Sequence, residues 1–199
     1  MRLWKYFAIS TVVLLLWPAG ATWADGKTKA AACAACHGPD GNSINPIWPN
    51  LAGQGAEYIV EQLHAFKSKA RENPSMSPMA AGLNDEDMRE IADYYAAQAP
   101  KIASMGDADF GDAERLYRGG DADRGIPACM ACHGPSGAGN GPAKFPALRG
   151  QHAEYTKLQL QAYRDGTRAT DPQGMMRMIA AKLSDEDIEQ LAKYVSALH

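Results

Sequence analysis

Cysteine is scarce in this chain, and none is spare. All four cysteines fall inside two short motifs, so nothing is left over for a framework of structural disulfides. Strand-like alternation is missing around both motifs, which removes the βαβ setting that a redox disulfide of the thioredoxin type needs. An excess of positive charge is missing too. The 20 Lys and Arg are scattered among 23 Asp and Glu for a net charge of −3, which excludes the basic footprint of a nucleic-acid-binding protein. The apolar run from Phe7 to Leu16 stops short of the ~20 residues of an ordinary membrane span.

What is present is C-x-x-C-H, twice: Cys33-Ala34-Ala35-Cys36-His37 and Cys129-Met130-Ala131-Cys132-His133. Two thiols three residues apart can each add to a vinyl group of one haem, and the imidazole that follows is placed to bind the iron from one side. That spacing is the sign of covalent c-type haem attachment. One tetrahedral zinc shared by the two pairs is the competing reading. Such pairs usually lie much closer than positions 33 and 129, and zinc leaves both histidines without a purpose. The motifs predict two covalently bound c-type haems on Cys33, Cys36, Cys129 and Cys132, with His37 and His133 as axial iron ligands. The work of such a protein is electron transport.

Residues 1–24 read as an export signal peptide. Arg2 and Lys5 form a positive start, Phe7 to Leu16 an apolar centre, and Ala19-Gly20-Ala21 or Thr22-Trp23-Ala24 a cleavage point. Trp17 and Trp23 would suit an uncleaved anchor instead, which is the route to a membrane association. Export agrees with the motifs, because c-type haem is attached outside the cytoplasmic membrane. Losing Arg2 and Lys5 leaves 18 basic residues against 23 acidic, a balance of −5.

The chain repeats itself. Gly38-Pro39 and Gly134-Pro135 follow the two motifs, and Trp48-Pro49-Asn50-Leu51-Ala52-Gly53-Gln54 answers Phe145-Pro146-Ala147-Leu148-Arg149-Gly150-Gln151. Glu57-Tyr58 matches Glu154-Tyr155, and Gln62-Leu63 matches Gln159-Leu160. Ala80-Ala81-Gly82-Leu83-Asn84-Asp85-Glu86-Asp87 aligns with Ala180-Ala181-Lys182-Leu183-Ser184-Asp185-Glu186-Asp187. This is a tandem duplication, with the extra residues of the second copy in loops, among them Gly119 to Pro127.

Each copy reads as helical. A short helix is expected before each motif, over Lys27 to Ala35 and Asp112 to Arg118. A second is expected over Ala56 to Ser68 and Ala153 to Asp165. Asn84 and Ser184, each followed by Asp-Glu-Asp, are N-caps of the clearest helices. Met88, Ile91, Ala92 and Tyr95 then form one apolar stripe, repeated as Ile188, Leu191, Ala192, Val195 and Leu198. Gly38 to Gly53 and Gly134 to Gly150 have loop composition, and Pro100 to Gly111 reads as the linker. Two such small units bury little core alone, so each haem is expected to be structural as well as functional.

The other side of each iron decides the chemistry. A ligand used twice should occur twice in register, and Met76 and Met176 each lie seven residues before Leu83 and Leu183, in segments expected to be extended. His64 corresponds to Gln161 and His152 to Gly55, so neither histidine is duplicated. A one-residue shift pairs Met79 with Met178 as the rival set. Pro49 and Pro146 sit where a backbone carbonyl could accept the Nδ1–H of each haem histidine, with a plain turn as the alternative. Tyr58 and Tyr155, Trp48 and Phe145, and Gln54 and Gln151 recur, and either line the haem, reach a propionate or simply pack.

Together these residues resemble the dihaem cytochrome c4 family: two C-x-x-C-H motifs, a P-x-L-x-G-Q-x-x-x-Y segment after each, and a methionine seven residues before L-[NS]-D-E-D. The resemblance covers the chain beyond its signal. It implies an all-α fold of two tandem class I cytochrome c domains with pseudo-twofold symmetry, 25–104 and 105–199, and places Met76 and Met176 on the irons. It further implies an electron carrier of the respiratory chain in a bacterial periplasm, not an enzyme, with a quinol-oxidising cytochrome complex and a terminal oxidase as redox partners. The alternatives are a dihaem redox enzyme of the peroxidase or thiosulfate dehydrogenase type, and an anchored cytochrome subunit of an oxidase.

Overall fold

The computed structural model describes residues 21–104 and 109–199; the export signal read over 1–24 therefore lies, but for its last four residues, outside the described residues. The first repeat runs α1 (Ala21–Lys29), α2 (Ala31–His37), α3 (Ala56–Lys67), α4 (Met76–Ala81) and α5 (Asp85–Ala96). The second answers with α6 (Gly111–Gly119), α7 (Met130–His133), α8 (Ala153–Arg164), α9 (Met175–Ala180) and α10 (Asp185–Ala197). Among the described residues the only β pairing is two isolated bridges, Asp121 with Ile126 and Asn140 with Phe145. The expected all-α class holds.

The closing helix of each repeat is the beam on which the rest packs. Its apolar stripe is buried as its spacing requires: Met88, Ile91, Ala92 and Tyr95 in α5, and Ile188, Leu191, Ala192 and Val195 in α10. Both helices begin on a capping box. Asn84 accepts from the Asp87 amide at 2.8 Å, Ser184 from the Asp187 amide at 3.0 Å, and each aspartate accepts the cap residue's own N–H. In the first repeat α5 packs on α1 and α3, and α3 on α4. In the second, α10 packs on α6 and α8, and α8 on α9. Two separate cores result, one around Ile59, Leu63, Met88 and Tyr95, the other around Leu116, Tyr117, Ile188 and Leu191.

Two expectations are corrected. The helical path into the first motif begins at Ala21 rather than Lys27, as two helices that meet at Ala30. Gly26 lets α1 lie close on α5, and Lys29 fastens it there through Glu90 at 2.7 Å and Asp87 at 2.9 Å. The segments carrying Met76 and Met176 are helices, not extended chain. Local polar side chains start them. Asn73 Oδ1 accepts from the amides of Ser75 and Met76 at 2.9 Å, and Asp171 Oδ2 accepts from the Arg177 amide at 3.0 Å. Pro78 falls in the first turn of α4, where a missing N–H costs nothing.

Candidate functional site

Both motif histidines are buried at the C-terminal end of their helices, each 6% exposed. His37 Nδ1–H donates to the Pro49 carbonyl at 2.8 Å, and His133 Nδ1–H donates to the Pro146 carbonyl at 2.9 Å. The bond fixes the tautomer and leaves Nε2 with its lone pair free to coordinate. Burial lowers the pKa of both rings and outweighs the opposing pull of the proline carbonyls, which favours the neutral, ligating form. A tyrosine hydroxyl steadies the turn after each motif: Tyr94 donates to the Pro39 carbonyl and Tyr117 to the Gly134 carbonyl, both at 2.7 Å.

The four thiols are free. Cys33 packs against the first core and Cys129 against the second, while Cys36 and Cys132 are exposed. The two pairs thus belong to different domains and do not surround one tetrahedral ion. Burial pushes the Cys33 thiol up and the Cys129 thiol up to about 11, so neither is a ready thiolate.

The two candidate pairs of methionines differ in exposure. Met76 is half-buried, packs against the first core, and shares the inward face of α4 with the fully buried Ala80 four residues on. Met176 is half-buried and shares that face of α9 with the fully buried Ala180. Met79 is 48% exposed and Met178 59% exposed. Of the unduplicated histidines, His64 lies on the surface of α3, and His152 Nε2 meets the Ser43 carbonyl of the first domain at 3.0 Å.

Gln54 and Gln151 are both buried. They clasp the two domains together. Gln54 exchanges two hydrogen bonds with the backbone of Ala147 at 2.8 and 3.0 Å, and Gln151 does the same with Asn50 at 2.8 and 3.0 Å. Tyr58 and Tyr155 also reach across, Tyr155 accepting from Arg71 at 3.0 Å and Tyr58 from Arg168 at 2.8 Å. Burial pushes the Tyr155 phenol up, but Arg71 and Arg168 outweigh it and hold it below its ordinary value. Phe145 keeps to its own domain, its ring 6.3 Å from that of His133.

Arg71 and Arg168 belong to none of the motifs above. They are buried, 9% and 5% exposed, and among the described residues neither meets a carboxylate at ion-pair distance. Arg168 Nε has no hydrogen-bond partner among the described residues. The signal was available, since positions 71 and 168 match in the same register as Gln54 and Gln151. Two buried cations without a counter-ion call for an anionic group. Haem carries two carboxylates on its rim. Thiol pairs, free Nε2 atoms, inward methionines and buried guanidiniums that meet no carboxylate therefore fit one covalently attached haem in each domain.

Known proteins carry the same plan. The family model for cytochrome c matches residues 23–98 and 121–199. A cytochrome c4 of Thiocapsa roseopersicina is 51% identical over 176 residues, 87% of this chain and 91% of that protein. A thiosulfate dehydrogenase electron acceptor of Thiomonas intermedia is 40% identical over 198 residues, 97% of this chain and 90% of that protein. The crystal structure of reduced recombinant cytochrome c4 from Pseudomonas stutzeri superposes with a TM-score of 0.83 at 43% identity, covering 88% of this chain and 98% of that one.

Proposed function

Because the chain belongs to the cytochrome c family and is a two-haem electron carrier of the cytochrome c4 kind, we propose that it works in a bacterial periplasm. There it takes electrons from a quinol-oxidising cytochrome complex and delivers them to a terminal oxidase. Residues 1–24 export it. Cys33 and Cys36 would hold one haem and Cys129 and Cys132 the other; His37 and His133 would bind the irons through Nε2, and Met76 and Met176 would supply the second iron ligand in each domain. Two domains, 25–104 and 105–199, each carry one site.

The observation that supports this most strongly is the twice-built buried histidine, its Nδ1–H committed to a proline carbonyl and its Nε2 left open. When bound, each haem supplies a one-electron iron couple, and methionine opposite histidine raises its potential relative to a second histidine. The chain's own residues hold the ring tautomer, build an apolar core beside each site, and place two buried arginines at the seam. No acid–base pair is required, because no bond in a substrate changes.

One observation favours a second electron donor: the Thiomonas relative bears the name of an electron acceptor of thiosulfate dehydrogenase. A redox enzyme would instead need one iron left open, and the duplicated inward methionines speak against that. Absorption spectra of Met76→Ala and Met176→Ala test the ligand set. Each variant should lose half of the sulfur-to-iron band of the oxidised protein, and Met79→Ala and Met178→Ala should lose none. Loss in the latter pair, or in neither, overturns the assignment.

A further inference from the structure

Two chains of hydrogen bonds cross the seam, and each begins on a haem histidine. His133 Nδ1–H donates to the Pro146 carbonyl at 2.9 Å, and the N–H of that same peptide group, on Ala147, donates to Gln54 Oε1 at 2.8 Å. The mirror chain runs from His37 to the Pro49 carbonyl at 2.8 Å, then from the Asn50 N–H to Gln151 Oε1 at 2.8 Å. In each case one peptide accepts from the histidine of its own domain and donates to a glutamine of the other. We infer that Gln54 and Gln151 are positioning residues that set the reduction potential of the haem in the opposite domain. The inference rests on His37 and His133 being the iron ligands.

The physical basis is polarisation. A peptide whose N–H is engaged becomes a better acceptor at its carbonyl, and the effect strengthens where water is excluded. Both glutamines are buried, at 7% and 8% exposure. Their amide nitrogens donate back to the carbonyls of Ala147 and Asn50 at 3.0 Å, so each side chain is held at both ends and cannot rotate away. A stronger bond from the Nδ1–H makes the coordinating nitrogen more basic. A more basic ligand favours the oxidised, more positive iron. Gln54 therefore holds down the potential of the C-terminal haem, and Gln151 that of the N-terminal haem. Each haem's potential comes to depend on the docking of the two domains.

The test uses the full chain with both haems attached, and follows the haem-methyl resonances of each domain by NMR through a redox titration. Gln54→Met removes the acceptor and should raise the potential of the C-terminal haem, leaving the N-terminal one in place. Gln54→Glu keeps an acceptor oxygen and adds negative charge, and should move the same haem the other way. Loosened packing alone would move both variants alike. Gln151→Met should repeat the first result on the N-terminal haem. A shift confined to the haem of the substituted residue's own domain, or shifts of one sign in Gln54→Met and Gln54→Glu, overturns the inference. Paramagnetic shifts of the His37 and His133 ring protons in the oxidised parent report the ligand reading separately. Without them that reading fails; with them and unmoved potentials, only the relay fails.

Discussion

Arg71 and Arg168, one from each repeat, share both of their amide acceptors. Gln62 Oε1 accepts from Arg71 at 2.7 Å and from Arg168 at 2.9 Å, and Gln159 Oε1 accepts from Arg71 at 2.6 Å and from Arg168 at 2.8 Å. Each guanidinium also lies over an aromatic ring of its own domain, Arg71 over Phe66 and Arg168 over Tyr163. The pseudo-twofold relation between the repeats is thus realised in one buried cluster. Removing either arginine strands a tyrosine hydroxyl and weakens both glutamines. Arg71→Met or Arg168→Met should cost ~1–3 kcal/mol in denaturant unfolding of the haem-loaded protein. The double variant should cost less than the sum, because the two share partners.

The closing helices tie stability to acid. Burial pushes the Asp187 carboxyl up, but Arg124 and Ser184 outweigh it and hold it below the usual carboxylate range. Lys29 and the Asn84 cap do the same for Asp87. A carboxyl depressed by folding adds stability above its unfolded pKa, near ~4, and that stability is lost as the pH falls through the lower folded value. Asp187→Asn should therefore be less stable than the parent at neutral pH, with the gap closing below ~4. Circular-dichroism melts across that range measure it.

Removing the cap hydroxyl by Ser184→Ala should cost ~1 kcal/mol at neutral pH in the same melts. Ser184→Asn, which keeps a cap acceptor, should restore most of it.

Gly26 sets how close α1 comes to α5. A Cβ there would stand 2.5 Å from the Glu90 carbonyl oxygen, a backbone atom that cannot swing aside. Gly26→Ala should push α1 outward and cost ~1–3 kcal/mol, read as a lower unfolding midpoint of the haem-loaded chain.

The two haems should differ in potential. Between motif and methionine the second repeat carries Lys144, Arg149, Lys157, Arg164 and Arg168 against three acids, and the first Lys67, Lys69 and Arg71 against four. The structure sets Arg71 and Arg168 together on the seam, where neither separates the haems. The remaining excess still favours the reduced iron in the second domain. Potentiometry should find the C-terminal haem the higher of the two.

What the sequence by itself determined is local or periodic. The two C-x-x-C-H motifs count the haems because attachment needs two thiols and a histidine at one fixed spacing. The duplicated register pairs Met76 with Met176, and the 3.6-residue spacing of Ile188, Leu191, Ala192 and Val195 marks a helix face that the structure buries. The proline carbonyls that hold His37 and His133 were also within reach, twelve and thirteen residues down the chain. The short helices of Met76 and Met176 were not, because six residues carry too little period to read and rest on amide hydrogen bonds accepted by Asn73 and Asp171. Only the tertiary structure decided the seam. Gln54 with Ala147, Gln151 with Asn50, and Arg71 with Arg168 join positions about a hundred residues apart, and no local pattern encodes a pairing between faces that meet only after each domain has folded.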